Sequence, residues 1–388
     1  VRKFLGLLGR EFKLFFDNKV LMMLFLGAPV LYAVLIGSVY QKGKVVEMPI
    51  VVVNEDSGPM SETFIDMLND NESVHIARIL PSLFNSKDVA IDHEATTIVH
   101  IPRNFSADVQ QSRLPEITIF VDGANTLTSN TAMMAVNIVA TTMKAGVLIQ
   151  SQMKKGVPEY IASQQFEPFK TTIVRQNIRS GNYLYFMLPG VLITVLQQVL
   201  LLGLALSFST EFEKNTFGEL VSRMSNPFGL ILVKVLPYLL MSVGILVFYW
   251  LMSFYYKVPL HTDFWWFILC TFVFILAASL IGILVSIAIP SQLKATEILM
   301  VVATPAFILS GFTWPSSLMP SWVQWIADAI PTTHYLRIYR MLFVQQADLY
   351  HTYRPLIILS IICAVCLFFS VLLLFIKMRK SRKNQLAE

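Results

Sequence analysis

Ser209-Thr-Glu-Phe-Glu-Lys-Asn-Thr-Phe-Gly-Glu-Leu220 is a polar island between two long apolar runs. A charged segment of this length at the end of an apolar helix stands where another protein can grip it. The surroundings set the class. Apolar residues make up 55% of the 388 positions, charged residues only 14%, and the mean hydropathy is +0.61, all outside the range of a soluble globular chain. The chain reads as a polytopic α-helical membrane protein. The uneven spread of its apolar residues predicts one membrane domain interrupted by one folded insert.

Working outward from the island, six apolar runs are long enough to cross about 30 Å of hydrocarbon, which takes about 20 helical residues. They cover Val20 to Tyr40, Tyr183 to Phe208, Gly229 to Phe254, Phe264 to Ile289, Glu297 to Phe312 and Pro355 to Ile376. Six crossings return the chain to the side on which it began. The net charge of +5 is modest, but Arg2, Lys3, Arg10, Lys13 and Lys19 crowd the start, and Lys377, Arg379, Lys380, Arg382 and Lys383 crowd the end. The positive-inside rule then places both termini in the cytoplasm, together with the island at 209–228 and a basic tail at 377–388. The stretch 41–182 falls outside. Phe4, Leu7, Leu8, Phe12, Phe15 and Phe16 recur at helical spacing among basic residues, so residues 1–19 hold an amphipathic helix lying in the cytoplasmic interface. The run that follows is too long for a cleaved leader and lacks its small-residue cleavage pattern. The fifth run is short and continues into Trp314-Pro315, which predicts a broken helix or re-entrant hairpin at 313–330 near the outer surface.

The insert at 41–182 reads as an extracytoplasmic α/β domain. Pro49-Ile-Val-Val-Val-Asn54 is a β-branched run ending in the turn-rich Glu55-Asp-Ser-Gly-Pro59, and Phe64, Ile65 and Leu68 then follow helical spacing with Ser61 as N-cap. Further strands are expected at Thr97 to Ile101 and Glu116 to Val121. A long helix over Ser129 to Lys155 either extends the second span outward or packs on a partner. Cys270, Cys363 and Cys366 all fall in apolar runs, so the insert has no disulfide framework, and the CxxC spacing of the last two describes buried, inert thiols.

Catalytic signatures are missing. No phosphate-binding Gly-x-x-x-x-Gly-Lys-Ser/Thr loop, Gly-x-Ser-x-Gly or His-Glu-x-x-His occurs. His75, His93, His100, His261, His334 and His351 are scattered, and Asp92-His93-Glu94 reads as a solvated loop because adjacent side chains diverge. Neither an enzyme, a resident metal nor a nucleic-acid partner is expected. Charges are not strung through the spans as a proton relay requires, since Lys234, Lys294 and Glu297 stand at span ends. Gln197 and Gln198 are the polar pair inside the second span. They serve either interhelical hydrogen bonds or a substrate path. Energy for transport would come from a partner.

Glu211 to Leu220, followed by Asn226-Pro227 and Lys234, resembles the cytoplasmic coupling motif of type 2 ATP-binding cassette (ABC) exporter permeases. Leu309-Ser-Gly-Phe-Thr-Trp-Pro315, Met319-Pro320, Trp322, Ile330-Pro331 and Tyr335-Leu-Arg337 are similar to the family's re-entrant element and outer connector. Val53-Asn54-Glu-Asp56, Ile101-Pro-Arg-Asn-Phe105 and Val121-Asp122-Gly123 resemble the large outer domain of its drug-exporter branch. The chain departs at Asn215, where Gly is common; Asn tolerates left-handed backbone better than most residues.

The resemblance implies a permease subunit working as two copies, or with a paralogous permease, on two cytoplasmic ABC ATPase subunits. ATP and Mg belong to those partners, and this chain carries no cofactor. Glu211, Glu213, Lys214, Thr216, Phe217 and Glu219 would couple to the ATPase, with acidic groups pairing across the interface and Phe217 filling a pocket. Gln197, Gln198, Gly311, Phe312, Pro315, Met319 and Pro320 would line the translocation path or outer gate. The implied activity is export of amphiphilic small molecules, drugs or lipid-linked compounds across a bacterial inner membrane, with a periplasmic adaptor and outer-membrane channel as further partners. The alternative is a membrane-anchored sensor or envelope-complex scaffold with a ligand-binding outer domain; against it, the short tails carry no output domain.

Overall fold

The computed structural model of the chain describes residues 2–111, 113–166, 182–258 and 263–387. The stretch 167–181, where the insert is expected to rejoin the spans, and His261 lie outside the described residues. The chain divides into two units, residues 1–43 with 175–388, and residues 44–174.

In chain order, the first unit opens with α1 (Arg2–Asp17), whose Leu7, Glu11 and Phe15 share one stripe at four-residue spacing. Leu7 and Phe15 are buried while Leu5 and Phe16 stay exposed, so only one face of the helix is packed. Asn18 accepts from Leu21 N (3.1 Å) and so caps α2 (Lys19–Met22), which passes through a π-helical turn at Met23–Gly27 into α3 (Ala28–Val39). Phe15 meets Phe25 and Tyr238 edge-on at 5.6 and 5.7 Å.

The second unit runs β1 (Met48–Asn54), α4 (Pro59–Asn69), β2 (Val74–Leu80), α5 (Ser86–Asp92), β3 (Thr97–Ile101), α6 (Phe105–Gln110), β4 (Thr118–Val121), α7 (Thr126–Lys154) and α8 (Glu159–Phe166). The sheet order is β2-β1-β3-β4, with β1 parallel to β2 and β3, and β4 antiparallel to β3. Central β1 is buried on both faces, which is why it reads as a continuous apolar run. Ile50, Val52, Val99 and Ile101 meet Phe64 and Leu68 of α4 and Ala132, Ala135, Val136 and Val139 of α7 in one core. Strand β2 escapes sequence reading because it is an edge strand whose apolar residues are interleaved with His75 and Arg78. Ser61 is not the N-cap of α4. The helix starts two residues earlier at Pro59, and Ser61 Oγ donates to Gly58 O (2.8 Å) from inside the first turn.

The first unit resumes with α9 (Tyr183–Glu213), α10 (Phe217–Arg223), α11 (Pro227–Tyr255), α12 (Phe264–Ala288), α13 (Gln292–Ala303), α14 (Ala306–Leu309), α15 (Ser321–Asp328), α16 (Pro331–Tyr339) and α17 (Tyr353–Ala387). Helix α9 is the hub, packed on α3, α11, α12 and α13. Where α12 crosses it, a Cβ on Gly282 would lie 2.9 Å from Leu204 Cβ and 3.2 Å from Leu201 O, so only glycine allows the approach. Beside it, Ser286 Oγ accepts from Phe208 N and Ser209 N at 2.6 and 3.0 Å.

Among the described residues, seven helical stretches, rather than the expected six, are long and apolar enough to cross a membrane. The additional one is α7, whose small and apolar face lies on the sheet of the second unit. Its mean hydropathy comes from serving that core while also carrying Met133, Met134, Ile138 and Leu148 on its exposed side. With its other long apolar helices, the protein is a multi-pass membrane protein.

Candidate functional site

The polar island folds as a tight corner between α9 and α10. Asn215 takes φ +57°, the left-handed conformation, directly after the α9 C-cap Lys214. Thr216 N then donates to Glu211 O (3.0 Å) and Asn215 N to Phe212 O (3.3 Å), the two hydrogen bonds that close a helix through a left-handed residue. Asparagine stands where that geometry most often takes glycine.

Glu211 points back into its own chain. Its carboxylate accepts two hydrogen bonds from Arg10 of α1, Nη1 to Oε1 at 2.9 Å and Nη2 to Oε2 at 3.1 Å, and one from Lys234 of α11 at 2.7 Å. Thr216 Oγ1 completes the set. Lys234 also reaches Glu11 at 2.9 Å. Four alternating charges with no net charge therefore lock α1, the end of α9 and the start of α11 together. The side chains of Glu211 and Lys234 are each only 2% exposed, so neither is presented to a partner. Burial pushes the Glu11 carboxyl up, against the pull of Lys234. A buried cluster of this kind adds little net stability but fixes geometry, because removing one member strands the others without water.

The rest of the corner divides into an anchored and an exposed side. Glu213 accepts from Gln292 N (2.7 Å) and Gln292 Nε2 (2.6 Å) and so fastens the corner to the start of α13. Phe217 is buried, 4.8 Å from the Phe212 ring, and Lys377 of α17 sits 4.0 Å over that ring while donating to Ile287 O (2.5 Å). The pocket that Phe217 fills is thus in its own chain. Facing solvent are Lys214, Asn215, Ser222 and the Glu219–Arg223 ion pair (2.5 Å). Sequence reading missed Arg10 and Glu11 as members of the site, and it placed Lys234 beside the motif without pairing it to Glu211. The available signal was Lys234, a lysine within an otherwise apolar run that needs a carboxylate once buried.

At the opposite end of α9, about 37 Å away at 1.5 Å per residue from Glu211 to Phe186, Ser310–Pro320 forms an irregular turn. Gly311 takes φ +74°. Arg340 donates to Gly311 O (3.2 Å) and Phe312 O (2.8 Å) and stacks 5.0 Å over the Phe312 ring. Phe312 in turn lies parallel to Phe186 at 4.7 Å and against Gly190, where a Cβ would come within 2.5 Å of the ring. Met319 is buried; Pro315 and Pro320 are exposed and flank a 3-10 turn at Ser316–Leu318. Gln197 is fully buried and its Oε1 accepts from Thr332 N (2.8 Å), capping the start of α16, while Gln198 is half-buried. Of the two roles open to Gln197, the structure shows an interhelical hydrogen bond. Arg340 is the residue of this turn that sequence reading overlooked.

A family profile described as ABC-2 family transporter protein matches residues 19–372. The chain is 21% identical over 342 residues to YbhR of Escherichia coli strain K12, described as a probable multidrug ABC transporter permease; the match covers 86% of this chain and 88% of that one. It is 24% identical over 162 residues to YbhS of the same strain, described in the same words, covering 41% and 43% of the two chains.

Proposed function

This chain belongs to the ABC-2 family of transporter proteins, and from that membership we propose that it is the transmembrane subunit of an ATP-driven exporter. The family implies an ABC ATPase partner, which would hold ATP and Mg. The functional unit would pair two copies of the chain, or this chain with a paralogous permease. Six of the seven apolar stretches would cross a bacterial inner membrane, with α7 kept in the outer domain by its packing on the sheet. Both basic termini and the α9–α10 corner then face the cytoplasm. The cargo class is amphiphilic small molecules, including drugs and lipid-linked compounds. A periplasmic adaptor and an outer-membrane channel would continue the route.

One observation carries this reading. The α9–α10 corner presents an exposed polar face, Lys214, Asn215, Glu219 and Arg223, on a base bonded to α1, α11 and α13. A push on that face has no slack to take up before it reaches the long helices. Helix α9 leads from the corner to the turn at Gly311–Pro320, so closure of an ATPase dimer against α10 would move α9 and its outer contacts, Phe186 and Gly190 on Phe312.

The test is co-purification of the full chain with a co-expressed ABC ATPase, comparing wild type with the charge-reversed Lys214→Glu, Glu219→Arg variant. Both positions are exposed, so the fold is expected to persist. Loss of association or of permease-dependent ATPase activity supports the assignment. Unchanged association and unchanged ATPase activity would sink it.

A further inference from the structure

Between the first turn of α11 and the middle of α17 runs an apolar groove of about 490 Å³, lined by Phe228, Leu367, Phe368, Val371, Leu372 and Phe375. Its size is that of an ordinary ligand site. From Ala364 at one end to Phe375 at the other, α17 advances about 16 Å at 1.5 Å per residue, which matches one leaflet, half of a hydrocarbon core about 30 Å thick. Phe228 and Phe368 remain 50% and 64% exposed, so the groove opens sideways rather than into the protein.

The groove has a charged mouth. One turn beyond Phe375, Arg379 lays its guanidinium 4.8 Å from the centroid of that ring, and Lys380 and Arg382 follow, all exposed. Helix α17 carries no acidic residue to neutralise them. Lys377 is turned away to Ile287 O and the Phe212 ring, whereas Arg379 overhangs the groove at the Phe375 ring. A slot of acyl-chain length with a guanidinium at its surface end is complementary to an amphiphile whose head is an anion. The planar fork of arginine suits a phosphate in particular.

We propose that the α11–α17 groove with Arg379 is a binding site for an anionic phospholipid of the surrounding leaflet, acyl chain along Phe368, Leu372 and Phe375 and headgroup phosphate on Arg379. The inference needs α11 and α17 to lie in a membrane and stands whether or not the chain exports anything. A second protein helix in the groove would leave Arg379 facing apolar surface, and an inorganic anion would leave the groove unfilled; charge and length together select the lipid.

The experiment is native mass spectrometry of the full chain in detergent, without any ATPase, titrated with palmitoyl-oleoyl phosphatidylglycerol or with phosphatidylethanolamine of the same chains. The first bound lipid should favour phosphatidylglycerol about fivefold, the weight of one cation at an anionic surface. Arg379→Ala should remove that preference and Arg379→Lys should keep most of it. Leu372→Trp, which fills the groove, should weaken both lipids alike. The proposal falls if Arg379→Ala retains the preference, if Leu372→Trp leaves both lipids unaffected, if inorganic phosphate displaces the lipid at equal concentration, or if Leu372→Trp changes the number of chains per particle instead of the number of lipids. Because the site is read by lipid count alone, its failure would leave the transport assignment standing, and loss of ATPase coupling would leave the lipid site standing.

Discussion

Arg10 and Glu211, 201 positions apart, meet in a two-point fork at 2.9 and 3.1 Å. The contact joins an amphipathic helix at one end of the chain to the polar corner that follows α9. Lys234 approaches the same carboxylate from α11 at 2.7 Å, so the corner is held from two sides.

Glu211→Ala should therefore destabilise the protein strongly, by about 3–5 kcal/mol, because Lys234 and Arg10 lose their shared carboxylate in a buried setting. Arg10→Ala should cost less, since its side chain is 28% exposed and part of its charge remains hydrated. The double variant should lose at least about 1 kcal/mol less than the sum of the two, as residues in one network do. Equilibrium unfolding of the purified chain in mixed detergent and denaturant reads all three. Additive losses would mean that the fork contributes nothing as a pair.

At the other end of α9, Arg340 holds the Gly311–Phe312 turn through two carbonyls and one ring. Removing the guanidinium in Arg340→Ala should release the turn. With Thr313→Cys as reporter, labelling by a membrane-impermeant maleimide should quicken about tenfold in the Arg340→Ala background. The native thiols Cys270, Cys363 and Cys366 are buried and give a low background. Equal labelling rates would show that the turn is held by Phe312 packing on Phe186 alone.

Much of this was legible in the sequence, and the gaps have physical causes. Long apolar runs announce membrane helices because lipid demands them; α7 is apolar enough to cross as well, and its sequence left open whether it extended a span or packed on a partner, whereas its face is spent on a sheet core. The left-handed turn could be anticipated from Asn215, since a local backbone need is met by a local residue. Partners of Glu211 could not, since 201 and 23 positions separate it from Arg10 and Lys234, and a lysine in an apolar run announces a need for a carboxylate without saying which one. An acidic residue near a helix end reads as exposed until its tertiary neighbours are known. Strand β2 was lost for a related reason: one side of an edge strand faces solvent, so its apolar signal is diluted.

Asp56 gives the second unit a pH dependence of known sign. Partial burial works to raise its carboxyl, but hydrogen bonds from Ser106 Oγ (2.5 Å), Ser106 N (3.1 Å) and Gly58 N (3.3 Å) outweigh that and hold it below the usual aspartate range. A depressed carboxyl adds stability above its unfolded pKa, about 3.9, and that stability is lost as pH falls through the folded value. Hydrogen exchange of the full chain, followed in peptides spanning residues 54–64 and 102–110, should show protection that is constant from pH 7 to about 4 and declines below it. Asp56→Ala should cost about tenfold in protection at pH 6 and flatten the acid decline. An unchanged profile in the variant would remove Asp56 from the account.

Asn215 closes the α9–α10 corner at φ +57°, and the choice of residue there is open to a graded test. Left-handed backbone costs an ordinary L-residue about 1–2 kcal/mol, asparagine less, and glycine almost nothing in steric terms. Asn215→Gly should therefore leave stability within about 0.5 kcal/mol of wild type, its gain in steric freedom offset by the larger entropy of the unfolded chain. Asn215→Val should cost about 1–2 kcal/mol, because a β-branched side chain at positive φ is strained wherever it points. The strain falls on the turn that carries Thr216 to Glu211, so Asn215→Val should also weaken ATPase association while Asn215→Gly should preserve it. If the valine variant matched wild type in both measurements, the corner would have to be pliable, and a pliable corner could not pass a push from α10 into α9.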